Sequence, residues 1–441
     1  MTSAAGQNFD FARAQKYTKI VYADKVNRLI PEDLDIIAKD CSFVEKDKQP
    51  GDKYYEPVQV SRATGVTFNN DGSAFTLNKG LASKVENAEL RGSEILLRDF
   101  ISYAIMNRAM SGDMNTQAGR RAFVSATKET FLGLAESGAF FRESMLLYGG
   151  GANASASLAT IESTTSSTGT TLVVVVSTAT WATSLWVGNE NAEYDIYNGS
   201  TQINTAGTAA ARDNVFVLTS VDPSTRTLTF TSNATNVTAA ASAANYVIFF
   251  AGQRTKDMVG IQAAFSETTL WNISTSTYAL WKPQSLSAGG QLTFEVLMAG
   301  CAKIAEIGYH GTINQYVSPR AWQDLIDDQA ALIRHTDGTM TDKKGGTVRI
   351  GATGIEYVTQ TGTMKIKAHK LIKNGFSWGL PDGECMRIGS TDLTFEQPGF
   401  GKMISDLPDQ AGVQARIYTD QAFFCRKPKA MLQITGITNS R

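Results

Sequence analysis

The sequence has 441 residues, of which 42% are hydrophobic and 19% are charged, and its formal net charge is −1. This length exceeds what one hydrophobic core usually serves, so we expect about two or three domains. The balanced charge lacks the basic excess of a nucleic-acid-binding protein. The charged fraction, below the usual quarter, fits a chain that buries much of its surface against copies of itself.

The N-terminal segment, residues 1–52, is mixed and polar. It predicts an extended arm with a short helix that starts near Pro31. Polar and acidic residues stand where a signal peptide needs an apolar run. The sequence also has no apolar stretch of about 18 residues, so we expect no membrane partner and synthesis in the cytoplasm.

Residues 53–82 predict a hairpin with strands at 54–60 and 75–77. An Asn-Asp-Gly sequence between the strands supplies the positive φ angles that a hairpin turn requires. A hairpin with so little apolar content cannot bury itself, so we expect it to extend to a neighbouring molecule. The candidate contact with that neighbour consists of the turn residues Asn69, Asn70, Asp71 and Gly72.

Residues 83–151 predict two helices. In the first, which runs through Leu97 and Ile101, apolar residues recur at i, i+4 spacing. The second runs from a cap near Asn115 to three consecutive glycines at 149–151, which predict its end.

Residues 152–251 change in composition, because Ser, Thr, Ala and Asn dominate and Lys almost disappears. Short strand-like runs separated by turn signals predict a small sandwich or barrel. The abrupt change predicts an inserted, autonomous all-β domain. Its predicted strands are 172–176, 184–187, 194–197, 215–221, 227–230 and 246–250.

Residues 252–441 return to a mixed pattern, with a helix at 291–307 and a further helix that Ser318 caps and Pro319 begins. Four lysines in this part either solvate an exposed edge strand or contact DNA or a neighbour's acidic groups. They are Lys365, Lys367, Lys370 and Lys373. The predicted strands are 312–317, 348–350, 355–358, 364–371, 384–388, 414–418, 422–426 and 431–437.

No residue pattern indicates catalysis. The histidines, His310, His335 and His369, lie far from one another in sequence and form no metal-binding motif. The cysteines have no paired spacing and predict buried thiols in a reducing compartment: Cys41, Cys301, Cys385 and Cys425. The sequence also lacks a P-loop and a nucleophile elbow, so we predict a protein that is not an enzyme and has no catalytic, metal or cofactor site.

The order of these parts resembles the tailed-phage major capsid family, whose shared fold is known from phage HK97, over nearly the whole chain. Four local sequences carry the resemblance within that order. They are Val-Ser-Pro-Arg-Ala-Trp-Gln-Asp-Leu at 317–325, Gly-Ile-Glu-Tyr-Val at 354–358, Tyr-Thr-Asp-Gln-Ala-Phe-Phe at 418–424 and Lys-Pro-Lys-Ala-Met at 427–431.

The resemblance implies an α+β, HK97-like capsid fold with an inserted small all-β domain. Its parts would be an N-terminal arm (1–52), an E-loop hairpin (53–82), a spine helix with the start of the peripheral domain (83–151), the inserted β domain (152–251), and the axial domain with the rest of the peripheral domain (252–441).

It also implies a structural function. Family members self-assemble as hexamers and pentamers into an icosahedral virion shell around double-stranded DNA. The implied partners are other copies of the chain, a separate scaffolding protein, a portal, a cement protein on some shells, and packaged DNA through non-specific proximity. Assembly in the host cytoplasm is implied as well.

Three alternatives stay open at this stage. A tail-tube or adhesin subunit would be mostly strands, so the long helix argues against it. An encapsulin-like compartment shares the fold but holds cargo enzymes, and the Ser/Thr-rich segment favours a viral shell over it. A hydrolase with a carbohydrate-binding domain would need a catalytic constellation, and the sequence has none.

Overall fold

The structure is a computed structural model that describes residues 35–48, 53–69, 76–102, 117–204, 214–242, 244–335, 355–359, 362–395, 404–406 and 412–439. Most of the N-terminal arm, with the helix predicted near Pro31, lies outside these residues. So do the predicted strand 348–350, the Asn115 cap, and Asn70, Asp71 and Gly72 of the candidate turn.

The described residues combine helices and strands, which confirms the α+β class. The helices are α1 (Ile37–Asp40), α2 (Gln117–Tyr148), α3 (Ala234–Ala239), α4 (Ile261–Ser266), α5 (Phe294–Glu306) and α6 (Pro319–His335). The strands are β1 (Ser42–Glu45), β2 (Lys53–Gln59), β3 (Val85–Arg91), β4 (Ser93–Ser102), β5 (Ala159–Thr168), β6 (Thr171–Val176), β7 (Glu193–Asn198), β8 (Thr201–Gln202), β9 (Phe216–Asp222), β10 (Thr227–Thr231), β11 (Val247–Phe250), β12 (Thr269–Leu270), β13 (Ile273–Ser274), β14 (Gln284–Gly290), β15 (Ile313–Val317), β16 (Ile355–Thr359), β17 (Gly362–Ala368), β18 (Phe376–Pro381), β19 (Cys385–Thr394), β20 (Ile404–Asp406), β21 (Gly412–Cys425) and β22 (Leu432–Ile437).

Sheet I contains β1, β4, β19, β20 and β21, and β21 is its central strand. This strand pairs with β4 on one side and with β19 and β20 on the other. The first predicted helix is therefore wrong, because Leu97 and Ile101 lie in β4, opposite Ile417 and Val413 of β21. The two strands predicted at 414–418 and 422–426 are the single strand β21.

The second predicted helix is confirmed as α2, which has 32 residues. It packs against sheet I, where Leu134 is buried with Ala415 and Ile417. The helix ends where the glycines predict, and the amide of Gly149 donates to the carbonyl of Met145 at 2.8 Å.

The described residues between 159 and 250 form a barrel, one of the two predicted architectures. The strand order is β11-β5-β6-β10-β9-β7, pairing of β7 with β11 closes the ring, and β8 extends from β7. Fully buried aromatic side chains occupy the interior: Trp181, Trp186, Tyr194, Phe216 and Phe230. The strand predicted at 184–187 is wrong, because Thr183–Leu185 is a 3₁₀ turn that buries Leu185 in this core, and β5 was not predicted.

The two chain segments that connect the barrel to the body lie side by side. Gly151 donates to the carbonyl of Met258 at 3.1 Å, and Gly260 donates to the carbonyl of Gly149 at 2.9 Å. A Cβ atom on Gly149 would lie 2.4 Å from the Met258 carbonyl oxygen, so only glycine permits this approach. The three glycines therefore form a close chain crossing as well as a helix end.

Sheet II has the order β14-β22-β18-β15-β17-β16, and it packs against α5 and α6 through a buried cluster that includes Leu297, Cys301, Leu325 and Ile434. The predicted cap is confirmed, because the amide of Ala321 donates to Ser318 Oγ at 3.2 Å. The edge-strand interpretation of the four lysines is wrong for β17, which lies between β15 and β16.

Candidate subunit-contact site

A two-stranded ribbon, formed by β2 and β3, leads to a distal loop of residues 60–84, of which 60–69 and 76–84 are described. The hairpin is therefore longer than predicted. The partner of β2 is Val85–Arg91, and Thr76 and Leu77, from the predicted second strand, belong to no strand. The polar sequence of β3 gave no clear strand signal.

Hydrogen bonds hold the two sides of the distal loop together beyond the ribbon. Thr64 donates to the carbonyl of Leu81 at 2.9 Å, and Leu81 donates back at 2.6 Å. Further out, the Asn78 side chain donates to the carbonyl of Val66 at 2.8 Å. Gly65, at φ 138°, allows the two sides to approach, because a Cβ there would lie 2.8 Å from Gly80 Cα. The loop is thus a paired extension of the ribbon.

Exposed apolar side chains are concentrated on this loop. Phe68 is 90% exposed and Leu77 is 75% exposed. Exposed apolar side chains close together on one loop are typical of surfaces that bind another protein. Val66 and Leu81 on the loop are exposed as well, and so is Val85 at the start of β3.

The ribbon is anchored to sheet I at its base. Tyr54 is fully buried, and its Oη donates to Asp420 Oδ2 at 3.0 Å and accepts from the amide of Ser390 at 3.0 Å. Lys48 Nζ lies 2.8 Å from the same Asp420 oxygen. Burial raises the pKa of the Tyr54 hydroxyl. Burial lowers the pKa of Lys48, but its hydrogen bond and charge attraction to Asp420 outweigh this and raise it.

Gly92, between β3 and β4, makes room for this anchor. A Cβ atom there would lie 2.5 Å from Asp420 Oδ1 and 3.1 Å from the Tyr54 ring. The ribbon base is therefore a fixed joint, whereas the loop surface is apolar and exposed. This geometry suits an arm that is held rigidly at one end and binds a second molecule at the other.

The structure describes Asn69 alone of the four candidate contact residues, and it is exposed next to Phe68. The contact role of Asn69, Asn70, Asp71 and Gly72 stays a prediction. The apolar residues of the loop were not predicted. Their signal was available, because Val66, Phe68 and Leu77 stand isolated among polar residues.

A second group of side chains, the internal cluster, ties α2 to distant parts of the chain. Glu143 is fully buried on α2 and accepts from the amides of Ile37 at 2.7 Å and Ala38 at 3.0 Å. His369 Nε2 lies 2.8 Å from Glu143 Oε1, and His369 Nδ1 accepts from the amide of Leu371 at 3.1 Å. Since Nδ1 is an acceptor, Nε2 carries the proton and donates to Glu143.

Lys373, four residues after His369, also belongs to the internal cluster and is fully buried. Its Nζ donates to the carbonyl of Ser157 at 2.6 Å and to Gln262 Oε1 at 2.8 Å, and it lies 4.2 Å from the centroid of the Tyr148 ring. Burial lowers the pKa of Lys373 to about 7. The DNA-contact interpretation therefore does not fit this lysine.

Lys367 of the same predicted basic group also has an internal partner, Asp40, whose Oδ2 is 2.6 Å from Lys367 Nζ. All four cysteines are buried, as predicted. In the described ranges, no group of three or more His, Cys, Asp or Glu side chains is arranged to hold a metal ion. No helix in the described part of the chain has both the length and the apolar character needed to cross a membrane.

No protein-family model matches the sequence, and no curated protein matches it. Several solved structures are similar to the chain. The asymmetric unit of the cyanophage A-1(L) capsid is 11% identical with a TM-score of 0.49, and the similarity covers 95% of this chain and 96% of that one. The capsid of cyanophage P-SCSP1u is 7% identical with a TM-score of 0.44, covering 95% and 92%. The capsid of a native GTA particle is 8% identical with a TM-score of 0.42, covering 94% of each chain.

The similarity therefore extends over nearly the whole chain at low sequence identity.

Proposed function

We propose that this chain is the major capsid protein of a tailed phage, which self-assembles into the icosahedral head shell around double-stranded viral DNA. The observation that carries the proposal is the anchored ribbon with its exposed apolar loop. Phe68, at 90% exposed, and Leu77, at 75%, are largely uncovered by the described part of the chain. Burying such a side chain contributes roughly 1.5–3 kcal/mol, so a matching surface on another copy would bind this loop.

A shell forms when the same contact between the loop and a neighbouring copy is repeated by every copy of the chain. A loop that binds a different surface on the next copy forms a heterologous contact, and such contacts form a ring when the rotation between copies closes and an open filament when it does not. Hexamers and pentamers are rings of this kind. The base of the ribbon is buried against the chain's own body, but none of the described residues 61–69 and 76–84 is buried, so the distal loop gains most stability when it lies on a neighbour.

The order of the parts supports the same proposal. The anchored ribbon, the long helix and the β barrel follow one another in the chain, sheet I takes strands from before and after the barrel, and sheet II comes after the barrel. On this basis we infer the division into N-terminal arm (1–52), E-loop (53–82), spine and peripheral start (83–151), inserted β domain (152–251) and axial with remaining peripheral domain (252–441). We infer Asn69, Asn70, Asp71 and Gly72 as contact residues at the loop tip.

The partners follow from this function. The chain binds its own copies, and a separate scaffolding protein and a portal act with it during assembly in the host cytoplasm, while a cement protein belongs to only some shells of this kind. DNA lies beside the inner surface without specific recognition, because the net charge of −1 provides no general attraction for phosphates.

The test is assembly of the full chain. We expect the purified protein to sediment as large particles and to form closed or partial shells of uniform curvature by electron microscopy. Phe68→Ser should reduce the particulate fraction at least about tenfold, since it removes the most exposed apolar group. Phe68→Leu, the matched control, should keep most of it.

Two results would contradict the proposal. One is a stable monomer whose loop residues 60–84 are protected from proteolysis. The other is assembly into open tubes, which would indicate a tail subunit. Particles from infected cells should contain DNA, and cargo protein in its place would indicate an encapsulin-like compartment.

A further inference from the structure

Three of the four cysteines, Cys41, Cys385 and Cys425, belong to one buried cluster at the strand ends of sheet I. Cys385 of β19 and Cys425 of β21 are direct cross-strand partners. The Cys385 thiol is within hydrogen-bonding reach of the thiols of both Cys425 and Cys41. Cys41, Cys385 and Cys425 are 1%, 4% and 0% exposed. Cys301 lies on α5 and belongs to the separate apolar cluster between this helix and sheet II.

The strand register shows that one pair in this cluster suits a covalent bond. The amide of Arg426 donates to the carbonyl of Glu384 at 3.0 Å, so residues 384 and 426 form a hydrogen-bonded pair. Pair types alternate along antiparallel strands, which makes Cys385 and Cys425 a non-hydrogen-bonded pair with Cα atoms about 4.5 Å apart. A disulfide requires Cα atoms about 4.4–6.8 Å apart, so the backbone need not change.

We propose that Cys385 and Cys425 are a modification site, at which a peroxide oxidises the two thiols to a disulfide. Hydrogen peroxide is small and neutral, which suits a site with almost no exposed surface. One thiol sulfur attacks a peroxide oxygen, so that an S–O bond forms, the O–O bond breaks and one water leaves. The second thiol attacks the resulting sulfenic sulfur, so that the S–S bond forms, the S–O bond breaks and a second water leaves. Two electrons pass from the thiols to one peroxide.

The rate of this reaction follows from the surroundings of the pair. Burial, with hydrogen bonds to Cys41 and Cys425, raises the pKa of the Cys385 thiol. The thiolate is the attacking form, so the reaction is slow at neutral pH and faster at pH 9. In a reducing cytoplasm the thiols persist, and oxidation belongs to the medium outside the cell.

The experiment uses the purified, fully reduced chain treated with hydrogen peroxide. The protein is then unfolded, its remaining thiols are alkylated, and its peptides are mapped by mass spectrometry. We expect a linked Cys385–Cys425 peptide pair, with Cys41 and Cys301 alkylated. The oxidised chain should unfold at a higher denaturant concentration, and a reductant should reverse this shift.

A link between Cys385 and Cys41, or alkylation of both Cys385 and Cys425 after treatment at pH 9, would overturn the assignment. So would sulfinic acid at either residue without a link. Cys301→Ser is the matched control and should keep the linked pair, whereas Cys425→Ser should lose it. The wild-type map decides the question by itself if a variant does not fold.

Discussion

The carboxylate of Glu143 and the imidazole of His369 form a hydrogen bond of 2.8 Å between two fully buried side chains that are 226 residues apart in sequence. The same carboxylate accepts from two amides at the start of α1. One side chain of α2 therefore joins the N-terminal part of the chain to the segment after β17.

Replacing Glu143 by Ala should destabilise the folded chain strongly. The change leaves the amides of Ile37 and Ala38 and the His369 Nε2–H buried without a partner, which costs about 2–4 kcal/mol in the free energy of unfolding. Denaturant unfolding followed by circular dichroism measures the loss. Glu306→Ala, at an exposed carboxylate at the end of α5, is the control and should change stability by less than about 0.5 kcal/mol. Equal stabilities for the two variants would contradict the role of the internal cluster.

Lys373 should make stability rise with pH above neutrality. Burial lowers its pKa from 10.5 in the unfolded chain to about 7 in the folded chain. Between these values the unfolded chain binds more protons at this site, so the free energy of unfolding increases with pH by up to about 1.4 kcal/mol per unit. Denaturant unfolding at pH 7, 8 and 9 should show a steeper rise for the wild type than for Lys373→Met. Parallel lines for the two proteins would refute a neutralised Lys373.

Tyr54→Phe should loosen the ribbon at its base. The variant removes a hydroxyl that bonds to both Asp420 and the amide of Ser390. A loss of about 1.5 kcal/mol is expected, which corresponds to about tenfold faster hydrogen exchange of amides in β2 and β3. Tyr55→Phe is the control, because that side chain points to the other face of the strand. Unchanged exchange in Tyr54→Phe would show that the anchor does not restrain the ribbon.

Two glycine substitutions should have opposite effects. A Cβ atom at Gly260 would lie 2.7 Å from the Gly149 amide nitrogen and 2.8 Å from the Met145 carbonyl oxygen, so Gly260→Ala should lose about 1–3 kcal/mol. Gly133 lies within α2 and has open space at the Cβ position, so Gly133→Ala should gain about 0.5–1 kcal/mol. Thermal unfolding compares the two, and a stabilised Gly260→Ala chain would argue against the close crossing.

Local patterns predicted the elements whose signals lie within a few residues. The cap at Ser318 with Pro319, the end of α2 at Gly149 and most barrel strands are of this kind. The strand β4, in contrast, depends on a partner that is distant in sequence. Its apolar residues fit both a helical and an alternating period, and the deciding partner is β21, more than 300 residues later in the chain.

The contact role of Asn69, Asn70, Asp71 and Gly72 stays a prediction, and the exposed apolar side chains near this turn were not predicted. The Asn-Asp-Gly sequence predicts a turn that lies outside the described residues, and the partner of β2 is the polar strand β3, whose sequence gives a weak strand signal. Burial of Lys373 and pairing of His369 with Glu143 depend on three chain segments that meet only in the folded protein. No spacing rule connects residues 143, 157 and 373, so the sequence alone does not predict that these residues lie close together.

The chain enters the barrel at Gly149–Gly151 and leaves it at Met258–Gly260, and these two segments are hydrogen-bonded to each other. For the rest of the molecule, the barrel therefore only connects two neighbouring positions. The body's folding path need not depend on how much chain lies between them. The chain between Gly151 and Met258 can therefore become longer or shorter, or be replaced, during evolution without a change in the geometry of the two sheets and the long helix.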